Sequence, residues 1–278
     1  MIYDLLIIIV LFGWAISRIL QKEILKVPSS KEFSKWTILI GCLFALLVIP
    51  FVKFSSWNVM LGIFIASLLW IYEQFSKFIA IKKEEVSRVM AFSHFKLFFA
   101  MILTIIFLRE TATINTLLGG ILMICGGVFI GLEKNFFKKL KISNLALLIF
   151  LSSMFASGLA YFLRQYLLQK TDPFSIYFFS TIFAGILILP TVRKKPNFPK
   201  FEWMFLTQFL MVGGFLLVLW ILSKQELVYT APLLAVQPLV VLLLGRIFLK
   251  ESKKTFWIRI VGISTILLGY LILKGVLL

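Results

Sequence analysis

Glu73 and Lys77 are the residues of this sequence whose types and spacing best suit chemistry. They are four positions apart in a long apolar stretch, so a helix would place both side chains on one face. Ionisable groups within such stretches are costly in a membrane, which makes them functional candidates. Two interpretations stay open. In the first, Glu73 binds substrate or a proton. In the second, its role is structural: Glu73 pairs with Lys77, or Lys77 reaches the lipid headgroups while Glu73 faces a hydrated cavity.

Polar and aromatic neighbours widen this candidate substrate site. Trp70 lies one turn before Glu73, and Gln74 follows Glu73 directly. In the next apolar stretch, Lys96 suits an acidic substrate, and His94 suits a proton relay because histidine titrates near neutral pH. A hydrogen-bonded core histidine is the favoured interpretation of His94. Because a single histidine without other clustered ligands cannot hold a metal, we predict no metal site and no cofactor.

Two further polar clusters lie in the first and sixth apolar stretches. The first cluster contains Trp14, Ser17, Arg18 and Gln21, and the second contains Tyr161, Arg164 and Gln165. A guanidinium group is well suited to binding an anionic group of a substrate. Since both arginines lie toward the ends of their stretches, contact with lipid headgroups is the alternative.

The ninth apolar stretch contains the dipeptide Gln237-Pro238. A proline within a helix leaves a backbone carbonyl unpaired one turn earlier and permits a kink. We therefore predict a hinge at Pro238 and a candidate binding role for Gln237. Trp220 is a further aromatic candidate, because ring faces attract cations.

Composition restricts the fold class strongly. The 278 residues are 61% hydrophobic and have a mean hydropathy of +1.02, which is far above the values of soluble domains. The apolar stretches are about 20 residues long and do not alternate with polar residues, which predicts membrane-spanning helices. The net charge of +17 comes mainly from basic residues between these stretches. Anionic lipid therefore explains the charge better than nucleic acid.

The sequence predicts an all-α integral membrane protein with ten spans. Their expected bounds are 2–21, 35–53, 58–80, 86–108, 113–132, 144–168, 173–192, 202–222, 228–249 and 256–277. Lys224–Glu251 resembles Lys83–Glu110, which lies 141 residues earlier, and this indicates a duplicated unit. We expect repeats at 1–132 and 144–278, joined by a basic linker at 133–143. Because each repeat has an odd number of spans, the two should be inverted relative to each other.

Glycines follow the repeated segment in both halves. Gly120 and Gly127 are seven positions apart, as are Gly262 and Gly269. Glycines at this spacing lie on one helix face and allow close packing between membrane helices. The pattern predicts such packing within the subunit or at a dimer interface.

Basic residues are distributed unevenly among the expected loops. Nineteen lysines and arginines lie in or beside the odd-numbered loops, whereas five lie in the even-numbered loops and at the termini. Because basic residues favour the cytoplasmic side, the odd loops are expected to be cytoplasmic and both termini to face outward.

The duplicated pattern resembles the drug/metabolite transporter superfamily, specifically its EamA-like branch with ten helices. That pattern is an apolar helix with a central proline, a Gly-Glu turn and a glycine-bearing helix. Pro238 matches the proline, and Leu97 takes the corresponding place in the first half. Glu110 and Glu251 match the acidic position. The turn glycine is replaced by Arg109 and Lys250.

This resemblance implies secondary transport of small metabolites through a central cavity. The cavity walls would come from the first, third, fourth, sixth, eighth and ninth spans, and both termini would be cytoplasmic, in conflict with the charge distribution. Partners would be a small-molecule substrate and lipid, in a monomer or homodimer of the plasma membrane. One alternative is an exporter of hydrophobic or cationic compounds. Another is a membrane enzyme or lipid-handling scaffold. The sequence argues against an enzyme, because it has no clustered nucleophile and base, no metal motif and no phosphate loop.

Overall fold

The computed structural model describes residues 2–26, 28–83, 86–93, 95–131, 144–192, 200–249 and 256–275. These residues form α-helices and short 3-10 or π-helical turns, and no strand occurs among them. The helices are α1 Ile2–Ile24, α2 Ser30–Leu46, α3 Trp57–Lys83, α4 Val86–Ser93, α5 Phe95–Leu103, α6 Ile114–Gly131, α7 Asn144–Leu168, α8 Pro173–Ile188, α9 Phe201–Leu222, α10 Leu227–Leu234, α11 Gln237–Phe248 and α12 Phe256–Leu273. The prediction of an all-α protein is confirmed for these residues.

Several helices are long and apolar enough to cross a membrane. Five candidate spans are Ile2–Ile24, Trp57–Lys82, Pro173–Thr191, Phe201–Leu222 and Leu227–Phe248. Shorter apolar helices cover Phe95–Leu108, Ile114–Phe129 and Ile260–Leu273. Many large apolar side chains on the outer surface are exposed, which suits contact with lipid acyl chains.

The ninth apolar stretch is interrupted near its middle. In the second half, α10 ends at Leu234, Ala235 and Val236 form a turn, and Pro238 lies in the first turn of α11. A proline in this position needs no backbone N–H partner. This interruption directly precedes Pro238, where the sequence predicted a hinge.

The helices of the two halves pack in a pattern that is preserved when the halves are exchanged. The contact of α1 with α9 corresponds to the contact of α7 with α3. In the same way, the contact of α1 with α11 corresponds to that of α7 with α5. The helices α2 and α8, which hold the same place in their halves, pack on each other, as do α6 and α12. Each of these last two pairs therefore lies where a twofold relation between the halves would place it.

The α2 and α8 helices run in opposite directions. Near the start of α2, Lys35 Nζ donates to the Thr191 carbonyl, which follows α8, at 2.8 Å. Near the middle of α2, the Gly41 carbonyl accepts from the Tyr177 hydroxyl, in the first turns of α8, at 3.2 Å. An increasing residue number in one helix thus matches a decreasing number in the other.

The α6 and α12 helices are also antiparallel, and their backbones approach closely. A Cβ atom added to Gly119 would lie 2.6 Å from the Gly269 carbonyl oxygen, and one added to Gly126 would lie 2.7 Å from the Gly262 carbonyl oxygen. No side chain larger than glycine fits at these positions without separating the helices. The interface therefore depends on glycine in both halves, as small residues do in other membrane helix pairs.

The first-half glycines of this interface differ from those that the sequence pattern suggested. The prediction named Gly120 and Gly127, but these face the interrupted ninth stretch instead. A Cβ on Gly120 would lie 2.9 Å from Pro232 Cγ, and one on Gly127 would lie 3.1 Å from the Ala235 carbonyl oxygen. Because 119 and 126 are also seven apart, periodicity alone could not distinguish the two glycine faces.

One end of the bundle, here called the termini end, brings together the two ends of the described chain. Lys274, just after α12, donates to Asp4 in α1 at 2.7 Å. At the same end, the Glu110 carboxylate accepts from the backbone N–H groups of Leu227 at 3.1 Å and of Val228 at 2.8 Å. Glu110 thus caps α10 from the other half of the chain, since Glu226 at the N-cap position provides no side-chain bond of its own.

Candidate functional site

Glu73 lies at the centre of the protein and contacts two lysines. Its Oε1 atom is 2.8 Å from Lys96 Nζ on α5 and 3.6 Å from Lys77 Nζ on its own helix, α3. The side chain of Lys77 is only 2% exposed, so it does not extend to the surface. The predicted pair on one helix face therefore exists, but the shorter bond of Glu73 goes to a helix that the spacing argument did not involve.

The Tyr161 ring lies near both Lys96 and a second basic group, Arg164. Lys96 Nζ lies 5.4 Å from the centre of the Tyr161 ring, and the Arg164 guanidinium lies 5.8 Å from the same ring. Arg164 also lies 4.9 Å from the Phe215 ring of α9. Contacts of this length between cations and ring faces are favourable, particularly where water is excluded. The rings thus hold two like charges in one small region.

Arg18 belongs to a hydrogen-bonded chain along α1. Its Nη1 atom donates to Gln21 Oε1 at 2.7 Å, and Gln21 Nε2 donates to Ser17 Oγ at 3.2 Å. The Ser17 hydroxyl in turn donates to the Thr207 carbonyl of α9 at 3.1 Å. Ser17, Gln21 and Arg18 are all buried. This chain fixes the arginine inside the bundle, where it does not contact headgroups.

A cavity of about 70 Å³ lies between the helices α1, α2 and α3 of the first half and α7, α8 and α9 of the second. Its polar lining is Arg18, Gln21, Thr37, Gln74, Arg164, Tyr177, Ser180, Thr181 and Gln208, and its other lining residues are Gly41, Trp70, Phe78, Met211, Val212 and Phe215. The cavity therefore has three corresponding helices from each half as its walls. In its present volume it fits a few water-sized groups.

Buried charge around the cavity is strongly unbalanced. We call Arg18, Lys77, Lys96 and Arg164 the basic cluster. Glu73 is close enough to both arginines to interact with their charges, and Lys77 also interacts with Arg18 and Lys96. Within this described central region, one carboxylate thus faces four basic side chains. Buried charges without partners are costly, so the arrangement favours an additional negative group.

The candidate residues from the sequence fall into three groups. Trp70, Gln74 and Arg164 line the cavity itself. Glu73, Lys96 and Tyr161 form the adjoining charged cluster, and Ser17 holds Gln21 at the cavity wall. The structure therefore brings these seven residues together from the first, third, fourth and sixth apolar stretches.

The remaining candidates lie elsewhere. Trp14 donates to the Met211 carbonyl at 3.3 Å and packs against Gly214, so it joins α1 to α9. Trp220 is 40% exposed and stacks with Tyr3 near the termini end. Gln237 is buried at the start of α11 and does not line this cavity. His94 lies outside the described residues, as do the linker 133–143 and Glu251.

Several lining residues escaped the sequence argument. Thr37 lies on α2, Tyr177 and Ser180 lie on α8, and Gln208 lies on α9. Gln208 carried a signal, because an amide within an apolar span is itself a functional candidate. The hydroxyl groups carried none, since threonine and serine in membrane helices commonly bond their own backbone. The described walls also use the second and seventh stretches, where the resemblance implied the fourth and ninth.

In the described part of the chain, no three histidine, cysteine or acidic side chains lie together as a metal site would require. The residues around the cavity can bind a charged solute by ion pairs and hydrogen bonds. The ion pair with Lys96 stabilises the charged form of Glu73.

Comparisons with known proteins identify the family and the fold of the chain. No curated protein matches the chain. One solved structure, described only as "Crystal structure of protein", superposes with a TM-score of 0.71 over 97% of this chain and 95% of that chain, at 12% identity, which shows a shared fold. The EamA-like transporter family matches residues 1–132 and 144–274. The chain therefore belongs to the EamA-like transporter family and is an integral membrane protein of the drug/metabolite transporter type.

Proposed function

We propose that this protein is a secondary transporter that carries a small metabolite by alternating access, as an exporter or exchanger. The observation that carries the proposal is the buried polar cavity between three helices of each half. A site at the interface of duplicated halves can be exposed to either side when the halves rock against each other. The same geometry supports transport rather than catalysis as the role of the buried charges.

The architecture in this proposal is ten spans in two inverted repeats, 1–132 and 144–278, joined by the linker 133–143. The antiparallel packing of α2 on α8 and of α6 on α12 supports it. When two equivalent helices related by a twofold axis run antiparallel, the axis is perpendicular to them. For membrane-spanning helices, that direction lies in the membrane plane.

Export of hydrophobic or cationic compounds is the competing transport function. Glu73 and Trp70 could attract a cation, but Glu73 already contacts Lys96 and Lys77. A cationic solute in the cavity would also meet both arginines, whose charges repel it. The charge around the cavity therefore favours a metabolite that is not a cation.

Alternating access can be tested with pairs of spin labels at the two ends of the bundle. Ser56 and Lys224 are exposed at the termini end, and Lys26 and Lys200 are exposed at the opposite end. Each pair joins the two halves. We expect the distance of one pair to increase while that of the other decreases, in a background with serine at Cys42 and Cys125. Distances that stay fixed under every ligand and pH condition, or that change in the same sense, would contradict rocking.

We propose that the protein lies in the plasma membrane with both termini outside. The ground for this orientation is the uneven distribution of basic residues among the loops. Lys138 and Lys195 lie in odd-numbered loops and outside the described residues. Cysteines introduced there should stay unlabelled by an impermeant thiol reagent in intact cells and become labelled after lysis. Labelling in intact cells would instead support cytoplasmic termini.

A further inference from the structure

We infer that the cavity binds a small anionic solute, whose carboxylate or phosphate oxygens pair with Arg18 and Arg164. This inference rests on the proposed transport function and specifies its substrate class. It is carried by two independent observations: the unbalanced charge of the central region, and buried donor atoms that point to a missing acceptor.

The charge balance gives the sign of the solute. Glu73 is already shared between Lys96 and Lys77, at 2.8 and 3.6 Å. Arg18 has a neutral amide as its hydrogen-bonded partner at 2.7 Å, and Arg164 contacts aromatic ring faces. Neither contact neutralises a guanidinium charge. An anion between the arginines would do so in a region where charge interactions are weakly screened.

The unpartnered atoms give the chemistry of the solute. The Nε atoms of Arg18 and Arg164 are buried and meet no hydrogen-bond acceptor among the described residues. The same holds for Gln208 Nε2, while the hydroxyls of Thr37 and Ser180 also lack partners there and can donate. All five residues line the one cavity. A buried donor without an acceptor is costly, so five on one cavity indicate a ligand that accepts several hydrogen bonds.

Carboxylate and phosphate groups fit this set of donors best. Both present several oxygen acceptors and pair well with guanidinium groups, often through two parallel hydrogen bonds. A neutral solute would leave the arginine charges uncompensated, and a cation would be repelled by them. The volume of about 70 Å³ restricts the solute to a compact one in this conformation.

The test uses three probes of nearly equal size and different charge: succinate, succinamide and 1,4-diaminobutane, with inorganic phosphate as a second oxyanion. Binding to the purified full-length protein is measured calorimetrically, separately from flux into proteoliposomes. We expect succinate or phosphate to bind at least about tenfold more tightly than the neutral and cationic probes, a difference within reach of charge-assisted hydrogen bonds. Equal binding of all probes, or tighter binding of the neutral or cationic one, overturns the inference.

Variants locate the bound anion. Arg18→Gln and Arg164→Gln should each weaken anion binding at least about tenfold, while Arg164→Lys keeps the charge and should lose less. Lys26→Gln is the matched control, because Lys26 is exposed and pairs with Glu23 outside the cavity. Thermal unfolding without ligand identifies any variant that fails to fold. If both folded glutamine variants bind the anion as the parent does, the proposed site is wrong.

Binding and flux separate this inference from the proposed function. Selective anion binding without flux under any gradient supports the anion site and contradicts the transport function. Flux of a neutral or cationic solute without anion binding supports transport and overturns the anion site. Flux of succinate or phosphate that depends on both arginines supports both.

Discussion

The cavity region and the α6–α12 interface are built on opposite principles. Around the cavity, long polar side chains cross between helices and leave donors unpaired. Between α6 and α12, glycines such as Gly126 bring one backbone against the other, and the neighbouring side chains, such as Met123 and Ile266, are apolar. The first region contains space and charge, whereas the second contains neither.

This contrast divides the molecule into a part that can change and a part that holds the halves together. A close backbone interface has few alternative arrangements, because any shift loses contacts along the whole helix. Polar networks with unsatisfied members can instead exchange partners when a solute or proton arrives. Rocking is therefore expected about the α6–α12 side, with the cavity helices undergoing the larger displacement.

Replacing the single carboxylate should produce the largest effect. Glu73→Gln removes the partner of Lys96 at 2.8 Å and of Lys77 at 3.6 Å, and so leaves the basic cluster without its carboxylate. Breaking a buried pair in this way lowers the free energy of unfolding by about 3–5 kcal/mol. Thermal unfolding in detergent measures this, and parental stability would show that Glu73 has no pairing role.

A compensated variant separates pairing from binding. Glu73→Gln combined with Lys77→Gln and Lys96→Gln removes the unpaired lysines and should recover most of the lost stability. If Glu73 serves only as an ion-pair partner, this variant transports as the parent does in proteoliposomes. If Glu73 binds substrate or a proton, the variant folds and does not transport. We favour the second outcome, because Gln74 and Trp70 beside it line the cavity.

The sequence predicted which ionisable residues lie near the cavity better than it predicted which residues they contact. Glu73 and Arg164 could be found because ionisable residues are rare in apolar spans. The bond from Lys96 to Glu73 could not, since it joins α5 to α3 and depends on helix packing rather than on spacing within one helix. Ser180 could not be distinguished from other hydroxyl residues. Its importance lies in the cavity that it faces.

The α6–α12 interface shows a different limit of prediction. The glycine spacing indicated close packing, and close packing is present. Two faces of α6 carry the same seven-residue glycine spacing, one with Gly119 and Gly126 and one with Gly120 and Gly127. Only the partner helix decides which face packs on it, and that choice requires the arrangement of both halves.

Adding one methyl group at this interface should have an intermediate effect. In Gly126→Ala, the new Cβ would lie 2.7 Å from the Gly262 carbonyl oxygen and 2.8 Å from the Ile266 backbone nitrogen. Because backbone atoms cannot rotate away, the helices must separate, which costs about 1–3 kcal/mol. Gly213→Ala is the matched control, since nothing lies within 4 Å of its added Cβ. Equal unfolding temperatures for the two variants would contradict the close interface.

The smallest expected effect concerns the cap that joins the two halves at the termini end. Glu110 accepts hydrogen bonds from Leu227 and Val228 at the start of α10, where a carboxylate also interacts favourably with the helix dipole. Glu110→Gln keeps one acceptor oxygen but loses the charge and one of the two bonds. We expect the free energy of unfolding to fall by about 1 kcal/mol. Because the cap joins α10 to the other half of the chain, we also expect a lower flux in proteoliposomes.

A neighbouring carboxylate provides the control for this cap. The Glu226 carboxylate accepts from the Thr111 hydroxyl, at 3.1 Å from each carboxylate oxygen, and does not cap α10. Glu226→Gln keeps an acceptor for Thr111 and should leave both stability and flux near the parental values. If Glu226→Gln and Glu110→Gln behave alike, surface charge at the termini end explains the effect. If only Glu110→Gln changes the flux, the bonds from Glu110 to the start of α10 couple the two halves during transport. The cap then belongs, with α6 and α12, to the part of the molecule that holds the halves together.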